Sequence, residues 1–170
     1  QFEFGDVDAE TARGIVYNAI VDYRRMKNTG VIATFDRNKF DELSNFARIG
    51  DGSLGGKGRG WAFMGNMVKT HRELNEYANF PVFVPKTLVL CTDIFDEFME
   101  NNNLYPTALS DNSDEDILEE FLKAELPERL DEDYLAFFDA VKKPLAVRSS
   151  SMLEDSYYQP FAGVYSTYMI

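Results

Sequence analysis

The sequence predicts an α+β fold: a mixed small sheet with flanking helices. Three observations carry that prediction. Apolar residues recur at helical spacing in several separate stretches. Only three short runs read as extended. No internal repeat or low-complexity segment breaks the pattern. The 170 residues suffice for one domain or a large subdomain. A chain of that size buries roughly 70% of its unfolded surface and needs no covalent staple. Hydrophobic residues make up 45%, and 14 Phe with nine Tyr make the core strongly aromatic.

Residues 8–27 (DAETARGIVYNAIVDYRRMK) read as the first helix. Asp8 caps it, Ile15, Ala19 and Tyr23 share a face, and basic residues crowd its end. Gly14 weakens it, and Asn28-Thr29-Gly30 breaks it. A short second helix is expected after Asp36, carrying Phe40, Leu43 and Phe46. A glycine-rich stretch, residues 50–60 (GDGSLGGKGRG), comes next. A helix from about Gly58 to Tyr77 follows, with Trp61, Met64, Val68 and His71 on one face. Residues 82–90 (VFVPKTLVL) read as extended, Pro85 marking an edge, bulge or bend. Thr92 or Asp93 then caps a helix with Phe95, Phe98 and Met99 inside.

The very acidic segment 110–133 holds a helix around Ile117, Leu118, Phe121 and Leu122, then a linker at Pro127. It reads as a solvated face; the sharper alternative is a docking surface for a basic partner. Residues 131–142 form another helix, burying Tyr134, Leu135, Phe138 and Val141. Lys142-Lys143 favour its C-terminal end, and Pro144 stops it. Leu145-Ala146-Val147 is expected as a short buried strand, followed by a polar loop, 149–159, and a last strand, 164–168.

The formal net charge is −12, from 17 basic and 29 acidic residues. Such a surface repels nucleic acid and anionic membranes, so neither is expected as a partner. A polyanionic ligand must be held by a local cationic cluster. The single cysteine, Cys91, excludes an internal disulfide and reads as a small buried thiol in LVLC. That usage fits a reducing, cytoplasmic compartment. No run approaches the ~18 apolar residues of a membrane span, and no signal-peptide pattern opens the chain. The start at Gln1 and the stop after an aromatic stretch suggest that both ends are cut from a longer chain.

Five glycines between Gly50 and Gly58 leave the backbone free to approach phosphate oxygens and point N–H groups at them. A helix N-terminus directly after adds partial positive charge. Lys57 supplies a full charge, and Arg59 is a candidate for another. Gly50 to Gly55 also matches G-x-G-x-x-G, but Asn45 to Ile49 reads as a poor strand, and Glu73 and Glu76 fall in an expected helix, against a dinucleotide site. A P-loop needs Ser or Thr after its lysine, and Gly58 stands there. The bland alternative is a flexible connector with a solvated lysine.

The second cationic motif is Arg148, in KKPLAVRSSSMLED. Arginine at a strand end offers forked donors suited to phosphate, and Ser149, Ser150 and Ser151 add small hydroxyls. The alternative is a surface loop with an internal Arg–carboxylate pair, worth ~0–1 kcal/mol if exposed.

Together, Gly55-Gly56-Lys57-Gly58, the strand at Val84-Pro85-Lys86, LAVRSSSMLED and PFAGVYSTY resemble the N-terminal ATP-binding region of the pyruvate phosphate dikinase and phosphoenolpyruvate synthase family. Rifampicin phosphotransferase and the glucan dikinases are similar too. The resemblance covers about residues 46–170; residues 1–45 read only as a helical flank. It implies the first part of an ATP-grasp-like domain, with ATP between two lobes. It implies that Lys57 and Arg148 contact ATP phosphates, and that Gly55, Gly56, Gly58, Ser149, Ser150 and Gly163 line the nucleotide. Residues 149–163 would lie over it. It places the Mg2+ ligands and much of the adenine pocket on a second lobe, and the phosphorylated histidine on a swivelling domain, both outside this chain. His71 therefore reads as a core or boundary histidine, and Glu154 and Asp155 as loop organisers rather than magnesium ligands. Pro160 and Val164 depart from the family, which often carries a small polar residue and Gln there.

The implied parent is an ATP-dependent phosphotransferase acting through phosphohistidine on pyruvate or a related acceptor, its remaining domains being partners. This chain alone is expected to be inactive. The departures and the acidic surface keep open a non-catalytic nucleotide-binding or regulatory module, or a protein-interaction domain.

Overall fold

A computed structural model describes residues 8–28, 32–39, 44–75, 80, 82–154, 156, 158–159, 161 and 163–170. The chain forms an α+β fold. Helix α1 spans Ala9–Asn28. Asp8 caps it as the sequence indicates: its carboxylate accepts from the Glu10 and Thr11 N–H groups, both at 3.0 Å, and from the Thr11 hydroxyl at 2.7 Å. The face expected from Ile15, Ala19 and Tyr23 is exposed, as are Val16 and Ile20.

The strands divide into a parallel sheet and an antiparallel ribbon. Strands β1 (Ala33–Thr34), β2 (Phe46–Ile49) and β3 (Thr87–Leu90) form the sheet in that order, all parallel. Residues 45–49 are thus no poor strand. β2 is the central one, with Phe46, Ala47 and Ile49 buried, and partners on both sides stabilise it. Phe46 belongs to this strand, not to a helix after Asp36; Phe40 and Leu43 lie outside the described residues. The sheet also reaches across the boundary drawn at residue 46, since Ala33 pairs with Ala47 and Phe35 enters the core.

Helix α2 (Gly55–Thr70) connects β2 to β3, making the βαβ unit that a parallel pair requires. It starts earlier and ends sooner than the sequence suggests. A 3-10 turn at Arg72–Asn75 follows, and Tyr77 lies outside the described residues. Its buried residues are Gly55, Gly58 and Gly65; Met64 is exposed. Glycines on that face let the helix backbone approach its neighbours closely.

Helix α3 (Thr92–Asn101) buries Ile94 and Met99 but leaves Phe95 exposed. A single turn, α4 (Tyr105–Ala108), was not legible as a helix in the sequence. Helix α5 (Asp114–Lys123) is N-capped by Ser113: the Asp116 N–H donates to Ser113 Oγ at 3.2 Å, and the Ser113 hydroxyl donates to the Asp116 carboxylate at 2.8 Å. Leu118 and Leu122 point outward, while Phe121 meets Phe98 at 6.3 Å between ring centres.

Helix α6 (Arg129–Ala140) supplies one wall of the core. Leu130 and Phe137 pack with Phe35, Ala47, Ile49 and Ile94, and Leu88, Tyr134 and Val141 border them. Phe35 and Phe137 meet edge to face at 6.3 Å. Leu135 and Phe138, expected inside, are exposed: the inward stripe runs through residues 130, 134, 137 and 141. The ribbon pairs β4 (Ala146–Arg148) with β5 (Thr167–Met169), Arg148 opposite Thr167. β4 is exposed rather than buried, although Leu145 just before it packs against the core.

Candidate functional site

Parallel register decides where the glycine loop lies. Ile49 pairs with Leu90, so both chains leave the sheet at the same edge. The loop after β2 therefore runs beside the start of α3. The Cys91 N–H donates to the Ile49 carbonyl at 2.9 Å, and the Thr92 N–H to the Ser53 carbonyl at 3.0 Å. The side chains expected to cap α3 clamp the loop instead. Asp93 accepts from the Asp51 N–H at 2.8 Å and from the Gly52 N–H at 3.0 Å, while Thr92 Oγ1 accepts from the Ser53 N–H at 3.0 Å. Hydrogen bonds from Asp51, then Gly52, hold the Asp93 carboxyl below the usual carboxylate range despite the opposing effect of burial. A Cβ at Gly50 would stand 2.4 Å from Asp93 Oδ1, and one at Gly52 would stand 2.6 Å from Thr92 Oγ1.

The segment after β4 docks on the start of α2. Ser150 makes three hydrogen bonds there. Its carbonyl accepts from the Gly56 N–H at 2.7 Å, its hydroxyl oxygen accepts from the Gly58 N–H at 2.9 Å, and its hydroxyl donates to the Leu54 carbonyl at 2.6 Å. Gly55, at φ +73°, allows this approach: a Cβ would fall 1.8 Å from the Ser150 carbonyl oxygen.

The glycine loop was expected to offer its N–H groups to phosphate. Those of Asp51, Gly52, Ser53, Gly55, Gly56 and Gly58 are instead donated to oxygens of the chain itself. The glycines make room for Thr92, Asp93 and Ser150.

Lys57, between Gly56 and Gly58, forms an ion pair with Glu154 at 2.5 Å, the two side chains being only 16% and 14% exposed. Arg148 lies just before the docked serine, at the end of β4, and is exposed. The two cationic motifs, far apart in sequence, thus meet at one junction. Ser149 and Ser150 are half-buried there. The Ser151 N–H donates to Ser149 Oγ at 3.0 Å, and Tyr165 donates its hydroxyl hydrogen to Ser151 Oγ at 3.3 Å. Arg59 turns to Ser53 Oγ, at 3.0 Å. Gly163 adopts φ +83° in an open turn, with nothing near its absent side chain. Asp155 and Pro160 lie outside the described residues; Val164 is exposed.

Of the two places expected for His71, core or boundary, the structure excludes the core: its side chain is 50% exposed. Helix α2 ends at Thr70, and the ring sits in solvent with Nδ1 at 2.8 Å from Glu73 Oε1. Cys91 is buried as expected, and burial pushes its thiol pKa up. Among the described residues, no three His, Cys, Asp or Glu side chains gather as a metal site. No helix among them is long and apolar enough to cross a membrane.

Asp93, Thr92, Ser150 and Glu154 are the residues whose roles the sequence did not reveal. Accepting Phe46–Ile49 as a strand would have pointed to the first two. A βαβ unit sets the end of its second strand beside the loop that follows its first.

The structure thus defines an α+β domain with a βαβ unit, a tight glycine junction at its helix start and a second cationic loop docked there. Residues 51–170 match the family described as pyruvate phosphate dikinase, AMP/ATP-binding domain, and the chain belongs to that family. It is thereby an ATP/AMP-binding domain of a phosphotransferase family. No curated protein and no solved structure matches the chain.

Proposed function

We propose that this chain holds the phosphates of ATP in a phosphotransferase. The whole enzyme moves phosphoryl groups through a phosphohistidine, on a domain outside this chain, to pyruvate or a related acceptor. Family membership supports the nucleotide class. The observation that carries the reading is the docking of Ser150 on Leu54, Gly56 and Gly58, which brings the Lys57 and Arg148 segments together.

In this reading Lys57 and Arg148 bind phosphate oxygens, each charge-assisted bond contributing ~1.5–3 kcal/mol. They also offset charge that develops as the terminal phosphoryl group leaves. Gly55, Gly56, Gly58, Ser149, Ser150 and Gly163 line the nucleotide. Residues 46–170 act as an ATP-grasp-like unit to which Ala33–Thr34 add a sheet edge and Phe35 a core side chain, helix α1 being a flank. Mg2+ accompanies ATP on ligands supplied from outside this chain. The remaining domains of the parent are its partners, in the cytoplasm.

Calorimetric titration with ATP tests this. The chain binds ATP without hydrolysing it. Lys57→Ala weakens binding at least about tenfold, a loss of ~1.4 kcal/mol, with an unchanged circular dichroism spectrum. Arg148→Lys also loses affinity, because a point charge does not replace a planar fork. Undiminished affinity in Lys57→Ala rejects the assignment. ATP hydrolysis by this chain that depends on both residues contradicts the need for a second lobe.

One observation favours a second reading, a non-catalytic nucleotide-binding or regulatory module. The loop N–H groups are already bonded and Lys57 is already paired. A parent protein that binds ATP through this domain yet forms no phosphohistidine supports the module.

A further inference from the structure

Lys57 and Glu154 are held together out of most solvent. An ammonium group so placed requires a counter-charge, and the Glu154 carboxylate supplies one. Glu154 lies in a turn that includes residues 152–154, downstream of the Ser150 anchor. That anchor bonds only to the backbone of Leu54, Gly56 and Gly58, so it does not depend on the ion pair. Between anchor and carboxylate, Ser151 Oγ accepts from the Leu153 N–H at 3.2 Å and from the Tyr165 hydroxyl at 3.3 Å, and the Leu153 carbonyl accepts from the Ser156 N–H at 3.3 Å. The carboxylate thus sits on a turn held by solvent-exposed hydrogen bonds beside the Ser150 anchor.

A phosphate oxygen that bonds Lys57 would bring negative charge within a few ångströms of the Glu154 carboxylate. Like charges in a partly dehydrated site repel strongly, so one ammonium cannot hold both at full strength. We propose that Glu154 is an internal counter-ion of Lys57 and that nucleotide phosphate takes the lysine by displacing it. The 151–154 turn is then a latch: it releases when phosphate binds, while Ser150 stays docked. This inference rests on the assignment of Lys57 as a phosphate contact. It adds a self-competition that lowers apparent nucleotide affinity in proportion to the latched fraction.

Calorimetric titrations of the chain, Glu154→Gln, Glu154→Asp and the double variant Lys57→Ala/Glu154→Gln with ATP distinguish the outcomes. Glu154→Gln is nearly isosteric and removes the charge; it binds ATP roughly tenfold tighter. Glu154→Asp, too short to keep the pair, shows a smaller gain. The double variant shows no gain over Lys57→Ala. Equal or weaker binding in a folded Glu154→Gln overturns the latch, leaving the phosphate role of Lys57 intact if the unaltered chain still binds. If Glu154→Gln does not fold, Glu154→Asp decides: tighter binding supports the latch, equal or weaker binding overturns it. If neither the chain nor any Glu154 variant binds ATP, the phosphate assignment fails and the latch with it.

Discussion

Gly55 and Gly60 belong to the same helix, yet their surroundings predict opposite effects of one methyl group. At Gly55 a Cβ would overlap the Ser150 carbonyl oxygen, and φ is +73°. Gly55→Ala must therefore strain the backbone and break the Ser150 junction. A loss of about 2–3 kcal/mol is expected in urea unfolding. At Gly60 nothing lies within 4 Å of a Cβ. Gly60→Ala there is expected to stabilise the chain by about 0.5–1 kcal/mol, because alanine loses less backbone entropy in a helix. Equal effects of the two changes would show that the junction is not as close as described. The glycine spacing was legible in the sequence, but its purpose was not. From residue types alone, a bare backbone that admits phosphate and one that admits Ser150 look the same.

At the scale of elements, α6 shows how a helical face is chosen. Its apolar residues cover more than one face, and spacing alone admitted Leu135 and Phe138 as core residues. Contact with β2 selects Leu130 and Phe137. Leu130 is fully buried, whereas Leu135 is 65% exposed. Leu130→Ala is expected to cost about 3 kcal/mol through lost burial and a cavity, and Leu135→Ala less than about 0.5. Thermal unfolding of both variants checks this; similar losses would mean that the helix is turned. Strand β2 illustrates the complementary difficulty. In Phe46-Ala47-Arg48-Ile49 only the two end residues favour a strand, and four residues without clear alternation are extended because ladders hold them on both sides. By contrast, α1 and its Asp8 cap were readable because capping is local.

Across the whole molecule, acid stability follows from carboxylates whose charged forms are held by hydrogen bonds. Hydrogen bonds from Thr11 lower the Asp8 pKa, those from Asp51 and Gly52 lower Asp93, and those from Lys123 and Lys142 lower Glu119 and Asp139. Each folded pKa lies below its unfolded value, so the unfolded chain takes up protons first as pH falls. Their contribution is complete above the unfolded values of about 3.9–4.3 and is lost as pH drops through the folded ones. The urea midpoint should therefore fall below about pH 4. Asp93→Asn should make that fall shallower, because one of these groups no longer titrates. An equally steep acid limb in Asp93→Asn would remove Asp93 from this account.

By itself the sequence determined the α+β class, most helices, the family, and the chemistry available at Gly55, Lys57, Arg148 and Ser150. Such features lie in short patterns that keep their meaning wherever the chain folds. Only the tertiary structure decided which groups meet: Asp93 with the glycine loop, Ser150 with the start of α2, Glu154 with Lys57. The physical reason is register. Parallel pairing of Ile49 with Leu90, and the return of the chain through β4, set those partners side by side across dozens of residues.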